Sequence, residues 1–211
     1  MNNATSIVDL HGLSLPKDMH VQEEYGKNED IVSIVTIFFI VSFAQYNCMS
    51  LIDFREQILK LKDFNEAYEL VKLTVNTKFN MHRAGLSLIL QGLPSRIGAY
   101  HILGSNVIVV NRTILDIIRQ HKSIEEYNSY LFMVLAHEYL HSFGIVDEFR
   151  VRQMSYDLCS SLLGNEHPAS IMAKEDPSAL FPELSLLRQN KFDEHFEVVK
   201  NFDTAGQSYI Q

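Results

Sequence analysis

In the string "LAHEYLHSFGIVDE", residues 135–148, a His-Glu-x-x-His spacing puts two imidazoles four residues apart. On a helix that spacing sets His137 and His141 on one face, about one turn apart, where both can reach a single tetrahedral zinc ion. Glu138, next to the first histidine, is placed to touch water on the ion rather than the ion itself. The chemistry expected of such a trio is hydrolysis. Zinc acidifies water, Glu138 removes its proton as general base, and the leaving amine later receives that proton. The apolar run before it, "YLFMVLA", is that of a helix buried beneath a cleft, and two histidines and a glutamate at its end are costly to bury without a shared partner. The bland alternative is a pair of satisfied structural histidines.

These residues resemble the zincin metallopeptidases, and two branches are echoed. Forward from His137, "HEYLHSFGIVD" resembles the metzincin signature, with Gly144 at the family's turn glycine and Asp147 in place of its third histidine. "ASIM", around Met172, looks like the Met-turn of that branch. Backward from His137, "GAYHILGSNVIVVNRTILD" is similar to the prenyl-protease-like gluzincins, whose third ligand is a glutamate opening a later helix. Glu148 in "EFRVRQMSYDL" takes that role, with Arg152 where the branch carries an aspartate. The resemblance thus implies one Zn2+ per chain on His137, His141 and Asp147, with Glu148 as the alternative third ligand and Glu166 in "GNEHP" as a distant third. The plain reading of Asp147 is a helix N-cap and that of Glu148 a first-turn acid. Together the resemblances cover residues 84–175. They imply a strand at Gly98, Ala99, Tyr100 and His101 that pairs with an extended peptide or protein substrate. His167 and Tyr156 are candidate donors to a developing oxyanion, without a motif behind either.

The elements that must position this site can be read coarsely. "DFREQILKLKDFNEAYELVKLTVN" carries Phe54, Ile58, Leu61, Phe64, Tyr68, Val71 and Val75 at helical spacing and predicts one or two helices. Residues 84–94 are β-rich. Residues 97–103 and 106–111 read as a hairpin turning at Gly104 and Ser105. A short helix is expected over 113–121. "SIEE" from Ser123 to Glu126 matches a capping box opening a helix to about Phe143, with Gly144 as its stop. A second helix should run from about Glu148 to Leu163, ended by Gly164 and Pro168. A loop and then a helix follow, and the tail is weak. The expected class is α+β: a zincin-like domain with a small mixed sheet, an active-site helix and a mainly helical C-terminal part.

Length and composition suit that reading. The chain has 211 residues, 46% hydrophobic and 21% charged, enough for one domain with a sizeable core. A net charge of −8 repels phosphate backbones, so nucleic acid is not an expected partner. Residues 1–30 read as a flexible arm with no secretion signal, residues 31–83 as an apolar segment plus helices packed on the core, and residues 84–211 as the catalytic domain. Cys48 and Cys159 read as free thiols in a reducing compartment. The expected location is cytoplasmic. The uncharged stretch 31–52, dense in apolar residues only over 31–44, is a buried segment on the favoured reading and a membrane anchor on the alternative, with the catalytic domain still in the cytoplasm. The functional expectation is a zinc-dependent peptidase. The competing one is a catalytically inactive zincin scaffold that binds or regulates a partner, which would have no use for Glu138.

Overall fold

A computed structural model of the chain describes residues 54–186 and 192–203. The arm, the stretch 31–52 and Cys48 lie outside them. Two helices come first, α1 over residues 54–60 and α2 over Phe64–Phe79. Strands β1 (Ser87–Gln91), β2 (Ala99–His101) and β3 (Val107–Asn111) follow, then helices α3 (Arg112–His121), α4 (Ile124–His141), α5 (Glu148–Leu163) and α6 (Pro168–Glu175). Two 3-10 turns (Pro177–Ala179, Pro182–Leu186) and strand β4 (Phe196–Val198) complete the described residues. The architecture is α+β, six helices with a small mixed sheet.

The sheet runs in the order β2-β3-β1-β4. β2 and β3 form the expected hairpin, in register Tyr100 to Val109, while β1 lies parallel to β3 and β4 closes the far edge antiparallel to β1. Leu88 and Leu90 alternate into the core from β1, and Ile108, Val109 and Val110 are buried on β3.

Helix α4 is the axis of the molecule. Every residue from Asn128 to Ala136 is buried, so it is apolar all round rather than on one stripe, as a helix must be when packed on several sides. It meets α2, α3, α5, α6 and β2. Its start is a full capping box: Glu126 N–H donates to the Ser123 hydroxyl, and Ser123 N–H donates to the Glu126 carboxylate. Its end is fixed by Arg83, whose guanidinium donates to the Ser142 carbonyl and, 2.9 Å away, to the Ser105 carbonyl in the β2–β3 turn. The Tyr139 hydroxyl donates to the Arg83 carbonyl at 2.9 Å and accepts from its N–H at 2.7 Å. The histidine-bearing turn of α4 and the hairpin are thereby tied to one residue.

Two expectations change. Residues 168–175 are helical, where a loop was expected, and Pro168 opens the helix rather than ending its predecessor. At the first helical position its missing N–H has no partner to lose. The tail is not idle either. Beyond β4, Phe202 and Asp203 are buried, and Asp203 takes Lys72 of α2 at 2.6 Å together with the N–H of Leu86 at 3.0 Å. Residues 196–203 thus engage the edge of the sheet opposite β2. Cys159 is buried and free. Among the described residues no helix is long and apolar enough to cross a membrane.

His167 is the N-cap of α6, its Nδ1 accepting the Ala169 N–H at 3.3 Å. Burial holds its pKa down to about 4, with Arg55 adding to the effect. The folded protein therefore resists a proton that the unfolded chain accepts near pH 6.5. Stability is complete above that pH and is lost as pH falls toward 4, by roughly 3 kcal/mol in all. Urea unfolding of wild type and His167→Asn should show a decline from pH 6.5 to 4 that the variant largely lacks. Parallel curves would remove His167 as the cause.

Candidate metal centre

α4 delivers His137 and His141 from its last turns, and the chain then reverses at Gly144, whose φ of +82° is the left-handed conformation glycine adopts without strain. The reversal brings the first turn of α5 back onto α4. Here two neighbouring acids part company. Asp147 turns outward and caps α5, accepting from Phe149 N–H at 3.0 Å and Arg150 N–H at 3.3 Å. Glu148, one residue on, points at the histidines. The carboxylate beside them is thus Glu148, the alternative of the two expected acids, while Asp147 Oδ1 is taken up by the helix start. Glu166 lies outside the cluster.

Three donor atoms converge. The Glu148 carboxylate straddles the two rings, with Oε1 3.2 Å from His137 Nε2 and Oε2 3.1 Å from His141 Nε2; the two Nε2 atoms are 3.2 Å apart. Ligands about 2.0–2.1 Å from a tetrahedral zinc lie roughly 3.3 Å from each other, and the triangle of two rings and one carboxylate has contacts of that size, each ring nitrogen meeting a different carboxylate oxygen. The tautomer points the same way. His141 Nδ1 lies 2.7 Å from the Ile145 carbonyl, which only accepts, so Nδ1 carries the proton. In the neutral ring Nε2 then presents a lone pair to the Glu148 carboxylate, and two acceptors at 3.1 Å repel unless a cation or a second proton lies between them. Burial holds His137 below the ordinary imidazole range; His141 and Arg152 push the same way, while Glu148 opposes them. With proton binding at His137 disfavoured, a metal cation fits this donor set. Glu148 is itself exposed, which leaves one side of the triangle open to solvent.

Glu138 is only 4% exposed, and its Oε2 has no hydrogen-bond partner. Burial, then the charge of Glu148, raises its pKa to about 8 against the lowering effect of the His101 backbone N–H. It lines a cleft of about 510 Å3 together with His137, His141 and Glu148.

The opposite wall of that cleft is β2. Asn111 N–H donates to the Gly98 carbonyl and Ile102 N–H to the Val107 carbonyl, so residues 98, 100 and 102 face β3. By the alternation of an antiparallel pair, the backbone groups of Ala99 and His101 face away from β3, on the open edge. One of them, His101 N–H, is already used by Glu138. Gly98, Ala99, Tyr100 and His101 all line the cleft. His101 Nε2 donates to the Ser105 carbonyl at 3.2 Å, which makes its side chain part of the turn.

Met172 also lines the cleft, but from within α6, so the residue expected in a turn sits in a helix. His167 is the cap of α6, and Tyr156 lines a separate small pocket; neither lines the cleft. Two further lining residues bear on the cleft, one not singled out from the sequence and one noted there only as a departure from the gluzincin pattern. Tyr130, two turns before His137 on the same face of α4, floors the cleft, and a methyl group at Gly98 would lie 3.1 Å from its hydroxyl. The i, i+7 spacing was the available signal. Arg152, one turn after Glu148, is the other, and its lining role depends on how α5 docks.

Comparison with protein-family models, with curated proteins and with solved structures finds no match for this chain.

Proposed function

We propose that the chain is a zinc-dependent, zincin-type peptidase. It would hold one Zn2+ on His137, His141 and Glu148 and hydrolyse peptide bonds of extended polypeptides with Glu138 as general base. The observation that carries the reading is the gathering of His137, His141 and Glu148, each ring Nε2 3.1–3.2 Å from a different Glu148 oxygen, beside a buried carboxylate with an unpartnered oxygen. Bound zinc would polarise the scissile carbonyl and acidify the attacking water. The charge of that zinc would counter the effects of burial and Glu148 and favour the ionised carboxylate, so Glu138 would take the proton from the water and return it to the departing amine. Glu138 lines the cleft, with one buried oxygen left without a hydrogen-bond partner. The open edge of β2 accepts a substrate strand by backbone pairing, which suits unfolded chains over compact ones.

An inactive scaffold is less well supported. Closed structural zinc sites take four protein ligands, and among the described residues only three gather here. A base held unpartnered in a cleft also has no purpose in one.

The test is turnover of an internally quenched, unfolded polypeptide by purified protein reconstituted with about one equivalent of zinc. Hydrolysis should stop with chelator and return when zinc is added back. Protein that binds no metal after add-back, or cleavage indifferent to chelator, would overturn the proposal.

A further inference from the structure

Next to the cleft lies a second, smaller pocket of about 120 Å3, lined by Phe149, Arg152, Gln153, Tyr156, Ala173 and Lys174. Arg152 and Ala173 line both spaces, so the two adjoin there. The small pocket holds two cations, Arg152 from α5 and Lys174 from α6. Among the described residues neither has a salt-bridge or hydrogen-bond partner, although the chain as a whole carries a net charge of −8. Gln153 and Tyr156 turn their polar groups to neighbours, donating to Asp157 at 2.9 Å and Asn165 at 3.4 Å. The two cationic side chains are thus the unengaged charges of this pocket.

We propose that this pocket is an anion subsite that receives a carboxylate of the peptide substrate. The proposal rests on reading the His137-His141-Glu148 cluster as a peptidase centre and adds a substrate class to it. Arg152 follows Glu148 by four residues on one face of α5, a rise of about 6 Å along the axis. An extended chain covers roughly 3.3–3.6 Å per residue, so the carboxylate falls one or two residues from the bond at the cluster. A guanidinium forks onto a carboxylate with two parallel N–H donors, and Lys174 adds a point charge beside it. The carboxylate has two sources, the C-terminus of a short peptide or an Asp or Glu side chain within a longer one. The exposed Val146 and Phe149 at the rim add apolar contact for the intervening residue.

The experiment is a binding titration on Glu138→Gln protein loaded with zinc, so that it reads the pocket without turnover. Three fluorescent peptides of one sequence serve as probes: a free C-terminal acid, its amide, and the amide carrying one internal Asp. Either carboxylate peptide should bind the Arg152-containing protein about tenfold or more tightly than the plain amide, in line with a charge-assisted hydrogen bond. Adding Arg152→Ala should remove that preference while zinc content, measured alongside, stays at one per chain; Lys174→Gln should reduce it by a smaller factor. Preference for the free acid alone identifies the C-terminus as the source, and preference for the Asp peptide alone identifies the side chain. Equal affinity for all three peptides, or an equal loss for all three on Arg152→Ala, overturns the subsite. A protein that binds these peptides with the expected preference yet cleaves nothing in the wild-type form keeps the anion pocket and sinks the peptidase reading.

Discussion

Glu148→Ala protein is expected to lose its zinc, whereas Asp147→Ala protein, altered one residue away, keeps it. Metal content by mass spectrometry on protein purified without affinity metals reads this directly. Removing Glu148 takes away one of three converging donors and leaves two imidazoles facing open solvent. The fall in affinity should exceed the roughly 10–100-fold that follows from altering even an outer-shell partner. Removing Asp147 instead deletes an N-cap that accepts two backbone N–H groups, at a cost of about 1 kcal/mol of stability and no change in metal content. The two variants should therefore separate cleanly, one in metal and the other in unfolding midpoint. The reverse pattern would assign the third ligand to Asp147 and require α5 to enter at another angle.

The second large effect is catalytic. Glu138→Gln should lower kcat by about 10²–10⁴ with zinc content and KM little changed, as loss of a general base does. The substitution is nearly isosteric, and the amide oxygen can still accept the His101 N–H, so the brace from β2 survives. The removed capacity is that of accepting a proton on the carboxylate. Measured turnover within about threefold of wild type would leave Glu138 without the role given to it.

The axis of this fold was open to reading because its signals are local. Ser123 and Glu126 announce a helix start, the run from Tyr130 to Ala136 announces burial on all sides, and His137 and His141 follow in fixed phase. The hairpin was similarly legible from Gly104 and Ser105 between two β-rich runs. The choice between Asp147 and Glu148 was not. Both acids sit at a helix start, their side chains diverge by about 100° around the axis, and only the entry angle of α5 decides which one meets α4. Pro168 was read as a terminator although its position in α6 suits an initiator equally well, and sequence alone does not tell which side of the proline the helix occupies. β4 has three exposed residues and no alternation, so its pairing with β1 leaves no periodic trace. The His101 N–H under Glu138 is a backbone contact between distant segments and has no signature in residue type.

The metal donors all fall within residues 137–148, whereas the brace on Glu138 comes from β2 and the sheet behind it is completed only by β4 at residues 196–198. Closing so short a segment costs little chain entropy, while the parallel pairing of β1 with β3 and the return of β4 close far longer loops. In kinetic terms the α4–α5 hairpin is the low-contact-order part of the molecule and the sheet the slow part. The gathering of these three side chains and their meeting with β2 are therefore separable events during folding. On the proposed reading, the donor cluster would gather before β2 arrives beside Glu138, and hydrolytic power would wait for the last strands to dock.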